Sequence, residues 1–354
     1  MNTNNFNKNF KLNGNSFVSE QELIDYSKTT SSSIYSFLEV WFSKELTIDV
    51  QTSGSTGRPK IIKLRKEYMI NSAKATGTFF ILPEKTTALL CLSVGYIAGK
   101  MMLVRALTLG WHLDIVEVSS NPLFSIDKDY DFCAMVPMQV QNSLEKLHKI
   151  KKLIIGGGAV DKSLLKKIQS EKTEIFATYG MTETITHIAV KPLNSFRHAE
   201  LVSVPHYKTL PNIQISTDSR GCLIINAPNI SDEKVITNDL VKIISDTEFE
   251  WLGRVDNVIN SAGVKLITEQ IEEKLSKIID SRFFVAGIPD ELLGEKLVLI
   301  IEGDNKTEYL KTQILSLPFI KKFEIPREVY TVEKFIDTDT KKINRRATLK
   351  SMKF

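Results

Sequence analysis

Thr52-Ser53-Gly54-Ser55-Thr56-Gly57-Arg58-Pro59-Lys60 gathers two glycines and four hydroxyl side chains into nine residues, with two cations at its end. The glycines let the backbone take turn conformations closed to other residues and approach a ligand closely. Hydroxyls and exposed N–H groups suit phosphate oxygens, and Arg58 and Lys60 add positive charge. A Walker A loop needs GxxxxGK followed by Ser or Thr, which this stretch does not supply, so a P-loop phosphotransferase is excluded. The bland alternative is an ordinary flexible Gly/Ser loop. The whole string between two strands, residues 46–50 before it and 61–64 after it, argues for the phosphate cradle.

Outward from this loop the chain alternates. Upstream, Ser19-Glu20-Gln21-Glu22 is a capping-box pattern for a short helix. Ile34, Phe37, Leu38 and Trp41 form a helical stripe within 31–42. The first dozen residues, polar in composition, are expected to be loose. Downstream, strands are expected at 87–93, 114–117, 131–136 and 152–155, with helices at 66–79, 100–109, 138–149 and 161–170. That alternation predicts an α/β architecture with a largely parallel sheet. From 201 to 253 short strands and turns dominate, a β-rich region. A mixed α/β tail follows, with helices at 271–279 and 306–315 and strands at 284–288 and 297–302. The last hundred residues have elements of their own, so a domain boundary is expected near Arg254.

Further segments carry chemistry. In Ile155-Gly156-Gly157-Gly158-Ala159 a glycine run at a strand-to-helix turn lets a flat ring lie against the backbone; Asp161 in the sixth position rules out GxGxxG and suits a helix cap. Thr178-Tyr179-Gly180-Met181-Thr182-Glu183-Thr184 offers an aromatic face, hydroxyls and one carboxylate. A hard cation wants such a carboxylate together with substrate phosphates and few other protein ligands. Thr237-Asn238-Asp239-Leu240 is in isolation a turn. Gly253-Arg254-Val255-Asp256-Asn257-Val258-Ile259 lies at the expected boundary, where a hinge absorbs dihedral change. Ser261-Ala262-Gly263-Val264-Lys265 reads equally as a β-turn. Thr340-Lys341-Lys342-Ile343-Asn344-Arg345-Arg346 alone is a basic tail.

Taken together and in this order, these segments resemble the motifs of the adenylate-forming superfamily, which includes acyl-CoA synthetases, luciferases and peptide-synthetase adenylation domains. The resemblance covers about 45–350. It implies a large N-terminal domain (1–253) of mostly parallel sheets with helices plus the β-rich subdomain. A hinge at 254–256 and a small mobile α+β C-terminal domain (257–354) would follow. It implies that Thr52, Ser53, Gly54, Ser55, Thr56, Gly57 and Lys60 hold the phosphates of ATP. By the same resemblance Gly156, Gly157 and Ala159 lie beside adenine and Tyr179 stacks on it. Thr182 contacts the α-phosphate, Glu183 ligates Mg²⁺, Asp239 takes the ribose hydroxyls and Arg254 the ribose or phosphate. Asp256 is the implied pivot, and Gly263 and Lys265 meet the thiol, with CoA as co-substrate. Lys342 aligns with the adenylation lysine, whose ammonium bridges the attacking carboxylate and the α-phosphate and counters charge in the transition state. Two family glycines are replaced, by Asn238 and by Lys341.

Ser93-Val94-Gly95-Tyr96-Ile97-Ala98-Gly99-Lys100 sits where acyl-CoA synthetases carry PLxHxxG, with Tyr96 for His. Met135-Val136-Pro137-Met138-Gln139-Val140 resembles a segment of o-succinylbenzoate–CoA ligases of menaquinone synthesis. That substrate has a second carboxylate, which needs a fixed cation; Lys100 or Arg105 supplies one from an otherwise apolar stretch. Tyr96, Lys100, Arg105 and Gln139 are therefore the candidates for the acid, against the plainer reading of Lys100 and Arg105 as a charged face on a buried helix. The alternatives are another aryl- or acyl-CoA ligase, a carrier-protein loading enzyme, or a non-catalytic nucleotide-binding remnant. The phosphate loop begins earlier than in full-length relatives, which implies that much of the N-terminal subdomain is missing.

Composition narrows the partners. Lys and Arg total 46 against 42 Asp and Glu, a formal charge of +4 over 354 residues, and no basic stripe interleaved with aromatics exists, so nucleic acid is not an expected partner. The apolar stretch 88–113 is interrupted by Lys100 and Arg105, which predicts core and not a membrane span. Residues 1–15 lack an apolar h-region, so a cytoplasmic enzyme is expected. Cys91, Cys133 and Cys222 have no CxxC spacing, which leaves buried free thiols. A small carboxylic acid, ATP and CoA are the expected partners, and a homo-oligomer stays open.

Overall fold

The computed structural model describes residues 6–51, 61–194, 206–303, 307–338 and 343–352. The expected phosphate loop, 52–60, and Lys342 lie outside the described residues. The chain forms two compact units. One comprises Met1–Ile215, Ile225–Val235 and Ser245–Glu248; the other takes Ser216–Ile224, Ile236–Ile244 and Phe249–Phe354. The second unit thus takes in stretches well before Arg254, where the sequence puts the boundary.

The first unit is built on strands β1 (Lys11–Leu12), β2 (Asn15–Ser16), β3 (Thr47–Gln51), β4 (Ile61–Arg65), β5 (Thr87–Leu90), β6 (His112–Ile115), β7 (Tyr130–Met135), β8 (Ile150–Ile155), β9 (Glu174–Gly180), β10 (His187–Pro192) and β11 (Tyr207–Thr209). Its helices are α1 (Glu20–Thr30), α2 (Ser32–Phe42), α3 (Lys66–Phe80), α4 (Ile97–Leu109), α5 (Pro137–Asn142) and α6 (Lys162–Ile168). The main sheet runs β11-β10-β9-β8-β7-β5-β6-β1-β2. Strands β6, β5, β7, β8 and β9 are mutually parallel. The central strands β5 and β7 are buried almost throughout, because helices cover a parallel sheet on both faces. Leu89, Cys133, Leu153 and Ile175 form one buried cluster with Val140 and Leu164 of the covering helices. Helix α4 is buried on almost every side, from Met101 to Leu107.

Several expectations shift for local reasons. Helix α4 ends at Leu109 and is capped by Gly110, which takes φ +69°. Only two residues then precede the next strand, which therefore starts before 114. The expected helix at 138–149 breaks at Ser143, whose buried hydroxyl bonds Asn121 Oδ1 at 3.1 Å; α5 and a 3-10 turn (Leu144–Lys149) replace it. The N-terminal stretch is not loose where it is described: Phe10 and Leu12 are fully buried, and β1 pairs in parallel with β6. The Ser19 cap forms, with Oγ accepting from Glu22 N at 3.2 Å, while the Glu22 carboxylate reaches back one residue further and accepts from Val18 N at 2.7 Å.

In the second unit, strands β12 (Gln214–Thr217), β13 (Cys222–Asn226), β14 (Val235–Ser245) and β15 (Glu248–Arg254) are neighbours in chain order. They are followed by β16 (Ile259–Ser261), β17 (Val264–Leu266), α7 (Thr268–Leu275), β18 (Phe283–Asp290), β19 (Gly294–Glu302), α8 (Thr307–Leu315), β20 (Glu328–Val332) and α9 (Arg345–Ser351). These strands form a sheet ordered β17-β16-β19-β18, with β20 parallel to β19. Alternate residues of β18 and β19 feed two separate cores. Val285, Leu297 and Leu299 pack with α7, while Phe284, Ala286, Val298 and Ile300 pack with Phe335.

Candidate active site

The parallel strands stand in the spatial order β6-β5-β7-β8-β9. From β5 the chain crosses to one side, and from β7 onward it builds on the other. Such a reversal leaves a crevice beyond the carboxyl ends of the two strands, the usual ligand position in open α/β sheets. Every expected motif of this unit that is described leaves the same edge: Ser93–Lys100 follows β5, Val136–Gln139 follows β7, the glycine run follows β8 and the Tyr179 segment ends β9.

The glycine run and the Tyr179 segment are adjacent. Ile155 pairs with Ala177, and Thr178 Oγ1 donates to Ile155 O at 3.0 Å. A Cβ on Gly156 would stand 2.9 Å from that Thr178 hydroxyl, and Gly157 takes φ +77°. The glycines are thus required where the backbone presents a flat, side-chain-free surface. Asp161 caps α6 by accepting from Leu164 N at 2.8 Å, as the sequence suggests. Tyr179 packs edge-on against Tyr207, with ring centroids 5.8 Å apart. Tyr207 is missed by sequence reasoning, since a lone tyrosine in a three-residue strand gives no signal. Lys191 sits over the other ring at 5.0 Å, and burial pushes the Tyr207 phenol up to about 12. Thr182 is half-buried and Glu183 exposed on the turn after β9.

The four candidates for the acid have different surroundings. Tyr96 is exposed. Lys100 donates to Val94 O at 2.9 Å and Gly95 O at 3.0 Å, closing the loop before α4, and burial pulls its ammonium down. Gln139 is buried with its carboxamide occupied: Nε2 donates to Cys91 O and Ser119 O, and Oε1 accepts from Val136 N. It ties together the loops on the two sides of the crevice.

Arg105 is buried, and among the described residues no carboxylate pairs with it. Its Nε donates to Thr76 Oγ1 at 3.3 Å and its NH2 to His187 Nδ1 at 3.4 Å. Burial pulls the guanidinium down to about 9, so it stays charged at neutral pH. Burial and the charge of Arg105 hold the His187 imidazole well below its ordinary range. A neutral ring that accepts at Nδ1 carries its proton on Nε2, which lies 3.4 Å from Thr76 Oγ1. Thr76 in turn donates to Ser72 O at 3.0 Å. His187 also lines a cavity of about 260 Å³ together with Asn71, Ser72, Lys74 and Asn229. Nothing in the sequence marks His187 or Thr76; their partnership arises from packing β10 and α4 against α3.

The second unit brings three expected residues together. Asp239 is buried and accepts from Trp251 Nε1 at 3.2 Å, a partner the sequence does not reveal. Arg254 NH1 lies 3.8 Å from Asp239 Oδ1, and NH2 is 2.6 Å from Asp256 Oδ2. Gly253, at φ +151°, is required: a Cβ there would meet Glu269 Oε2 at 2.4 Å. Ala262 and Gly263 are the two turn residues of the β16–β17 hairpin, at φ +50° and +81°. Lys265 pairs with Asn260 just beyond it. At the C-terminal end Arg345 NH2 binds Glu272 Oε2 at 2.8 Å, next to the segment that carries Lys342. Among the described residues no group of three metal-ligating side chains gathers.

Comparison with known proteins identifies the family. A family profile, AMP-binding enzyme, matches residues 49–216. A solved acyl-CoA synthetase (AMP-forming)/AMP-acid ligase II-like protein from Dyadobacter fermentans DSM 18053 is 40% identical, over 90% of this chain and 93% of its own, with a TM-score of 0.61. A 2-succinylbenzoate–CoA ligase of Listeria monocytogenes is 22% identical over 337 residues, covering 87% of this chain and 70% of that one. An o-succinylbenzoate CoA synthetase from Bacillus subtilis, solved with its acyl-adenylate intermediate, is 20% identical with a TM-score of 0.73, over 86% of this chain and 69% of its own. At that identity the likeness shows the fold.

Proposed function

The chain belongs to the AMP-binding enzymes and is an AMP-forming acid–CoA ligase, and from that premise we propose that its acid is a small aromatic dicarboxylate, o-succinylbenzoate, converted to o-succinylbenzoyl-CoA. The observation that carries the choice of acid is Arg105. A buried guanidinium without a carboxylate is costly unless an anion completes it. It is joined through His187 to a cavity of about 260 Å³. An acid with a second carboxylate supplies that anion. The 2-succinylbenzoate–CoA ligase among the relatives supports the same choice.

The roles follow the chemistry. The phosphates of ATP lie in the loop 52–60 and against Thr182, adenine beside Gly156–Ala159 and Tyr179, and the ribose at Asp239 and Arg254. One carboxylate of the acid attacks the α-phosphorus, and pyrophosphate leaves. Lys342 offsets the charge that builds between attacking and leaving oxygens. Glu183 would hold Mg²⁺, which neutralises phosphate charge when bound. Rotation about Asp256 then withdraws Lys342 and brings Gly263 and Lys265 to the site. The CoA sulfur attacks the acyl carbon and AMP leaves.

The test is pyrophosphate release from MgATP with o-succinylbenzoate and a panel of aryl and short-chain acids, with and without CoA. Release confined to o-succinylbenzoate, with its CoA thioester seen by mass spectrometry, supports the proposal. Release with another acid discards the substrate and keeps the reaction. Acyl transfer only to a carrier protein would make the chain a loading enzyme. ATP binding without release by any acid would mark a nucleotide-binding remnant.

A further inference from the structure

Asn238 stands where the resemblance places a glycine, and its side chain is engaged on both sides. Its Nδ2 lies 3.2 Å from Oδ1 and 3.3 Å from Oδ2 of Asp256. Its Oδ1 accepts from Arg220 NH1 at 3.0 Å. That second bond decides which way the amide faces. A guanidinium only donates, so the amide oxygen turns to Arg220 and the NH₂ to Asp256. Arg220 is itself fixed: NH2 donates to Thr237 O at 3.1 Å, and Nε donates to Asp218 Oδ2 at 2.8 Å. Asp218 accepts from the backbone N–H of Arg220 at 2.8 Å and of Cys222 at 3.0 Å. Asp256 Oδ2 also takes Arg254 at 2.6 Å. A continuous chain of polar contacts therefore runs Asp218–Arg220–Asn238–Asp256–Arg254, all within the second unit. Glycine at 238 would leave a gap in its middle.

We propose that Asn238 is a positioning residue that pins the Asp256 carboxylate to the strand carrying Asp239, so that dihedral change at Val255–Asn257 waits on release of this amide. The inference rests on the reading of Asp256 as the hinge. Each bond is partly exposed and modest by itself. A hinge balances two conformers that differ by little, so a modest bias changes how often each is visited.

The test begins with hydrogen exchange and needs no substrate. Val258 N–H, bonded to Val255 O at 3.2 Å, reports opening of this turn. Asn238→Ala removes the amide and keeps the strand; Arg220→Ala leaves the amide in place but without its orienting partner. Exchange at Val255–Val258 should rise about threefold or more in both, the factor one net hydrogen bond supplies, at an unchanged melting temperature. Adenylation, read as pyrophosphate exchange, and thioester formation from supplied acyl-adenylate should then change in ratio by a similar factor. Unaltered exchange in both variants overturns the proposal, as does an equal fall of the two half-reactions. If the wild type performs neither half-reaction, the ligase reading fails and exchange at Val258 alone decides the role of Asn238.

Discussion

Arg105, His187 and Thr76 form a buried chain in which geometry sets the proton count, and it yields two predictions. Arg105→Met deletes a buried charge that no carboxylate among the described residues balances, so the variant should melt no lower than the wild type. If Arg105 holds the second carboxylate, selectivity for o-succinylbenzoate over benzoate should drop by about tenfold or more, the worth of a charge-assisted hydrogen bond. Selectivity unchanged from the wild type in the variant would remove Arg105 from the substrate. His187 gives the second. Its folded pKa is held below the unfolded value of about 6.5, by burial and by Arg105. The unfolded chain therefore binds the extra proton first. The stability tied to neutral His187 is complete above about pH 6.5 and is lost as pH falls, by at most about 1.4 kcal/mol per pH unit. Arg105 faces the ring directly and opposes protonation, while Lys74 lines the same cavity. Urea unfolding between pH 7.5 and 5 should show this loss in the wild type and a flatter curve in His187→Gln. Parallel curves would assign the acid sensitivity to other groups.

Among the elements, the β16–β17 hairpin shows how a sequence motif and a structural need coincide. The Ala262-Gly263 turn joins the pairs Ser261–Val264 and Asn260–Lys265, with positive φ at both turn residues. A two-residue hairpin loop of this kind matches strand twist, and it favours Asn or Gly at its first position. Ala262 is strained there, at φ +50°. Ala262→Gly should stabilise the second unit by about 0.5–1 kcal/mol, read from its unfolding transition, and Gly263→Ala should destabilise it by a similar amount. Opposite signs would mean that the turn adopts another conformation. The sequence reads this segment equally as a turn and as a thiol-facing loop, and the structure makes it a turn without touching the second question. The same holds at Gly156, where the glycine run is legible in the sequence and its reason, the hydroxyl of Thr178 2.9 Å from a would-be Cβ, is a contact between strands.

Across the whole molecule, burial settles the cysteines. Cys91 and Cys133 are 42 residues apart in sequence, yet their sulfurs lie 3.8 Å apart because β5 pairs with β7. Both are fully buried, as is Cys222, and burial pushes the Cys133 thiol up. A thiolate is the reactive form, so a chromogenic thiol reagent should titrate none of the three in the native protein and all three after denaturation. Rapid labelling of the native chain would show that one of these sites opens. Among the described residues no helix is long and apolar enough to cross a membrane, in keeping with the two charges that interrupt 88–113.

The sequence by itself determined the α/β class, the order of the elements and the motifs at their ends, because periodicity, glycines and capping residues act within a few positions of themselves. It also determined the family, because those motifs recur in one order along the chain. Tertiary structure alone decided the crevice between β5 and β7, since strand order is set by long-range pairing. It alone decided that Gln139 and Lys100 close loops while Arg105 keeps a buried charge with no carboxylate partner among the described residues, and that Asn238 meets Asp256. These are properties of distance and solvent exclusion between residues far apart in the chain, and a one-dimensional pattern carries neither.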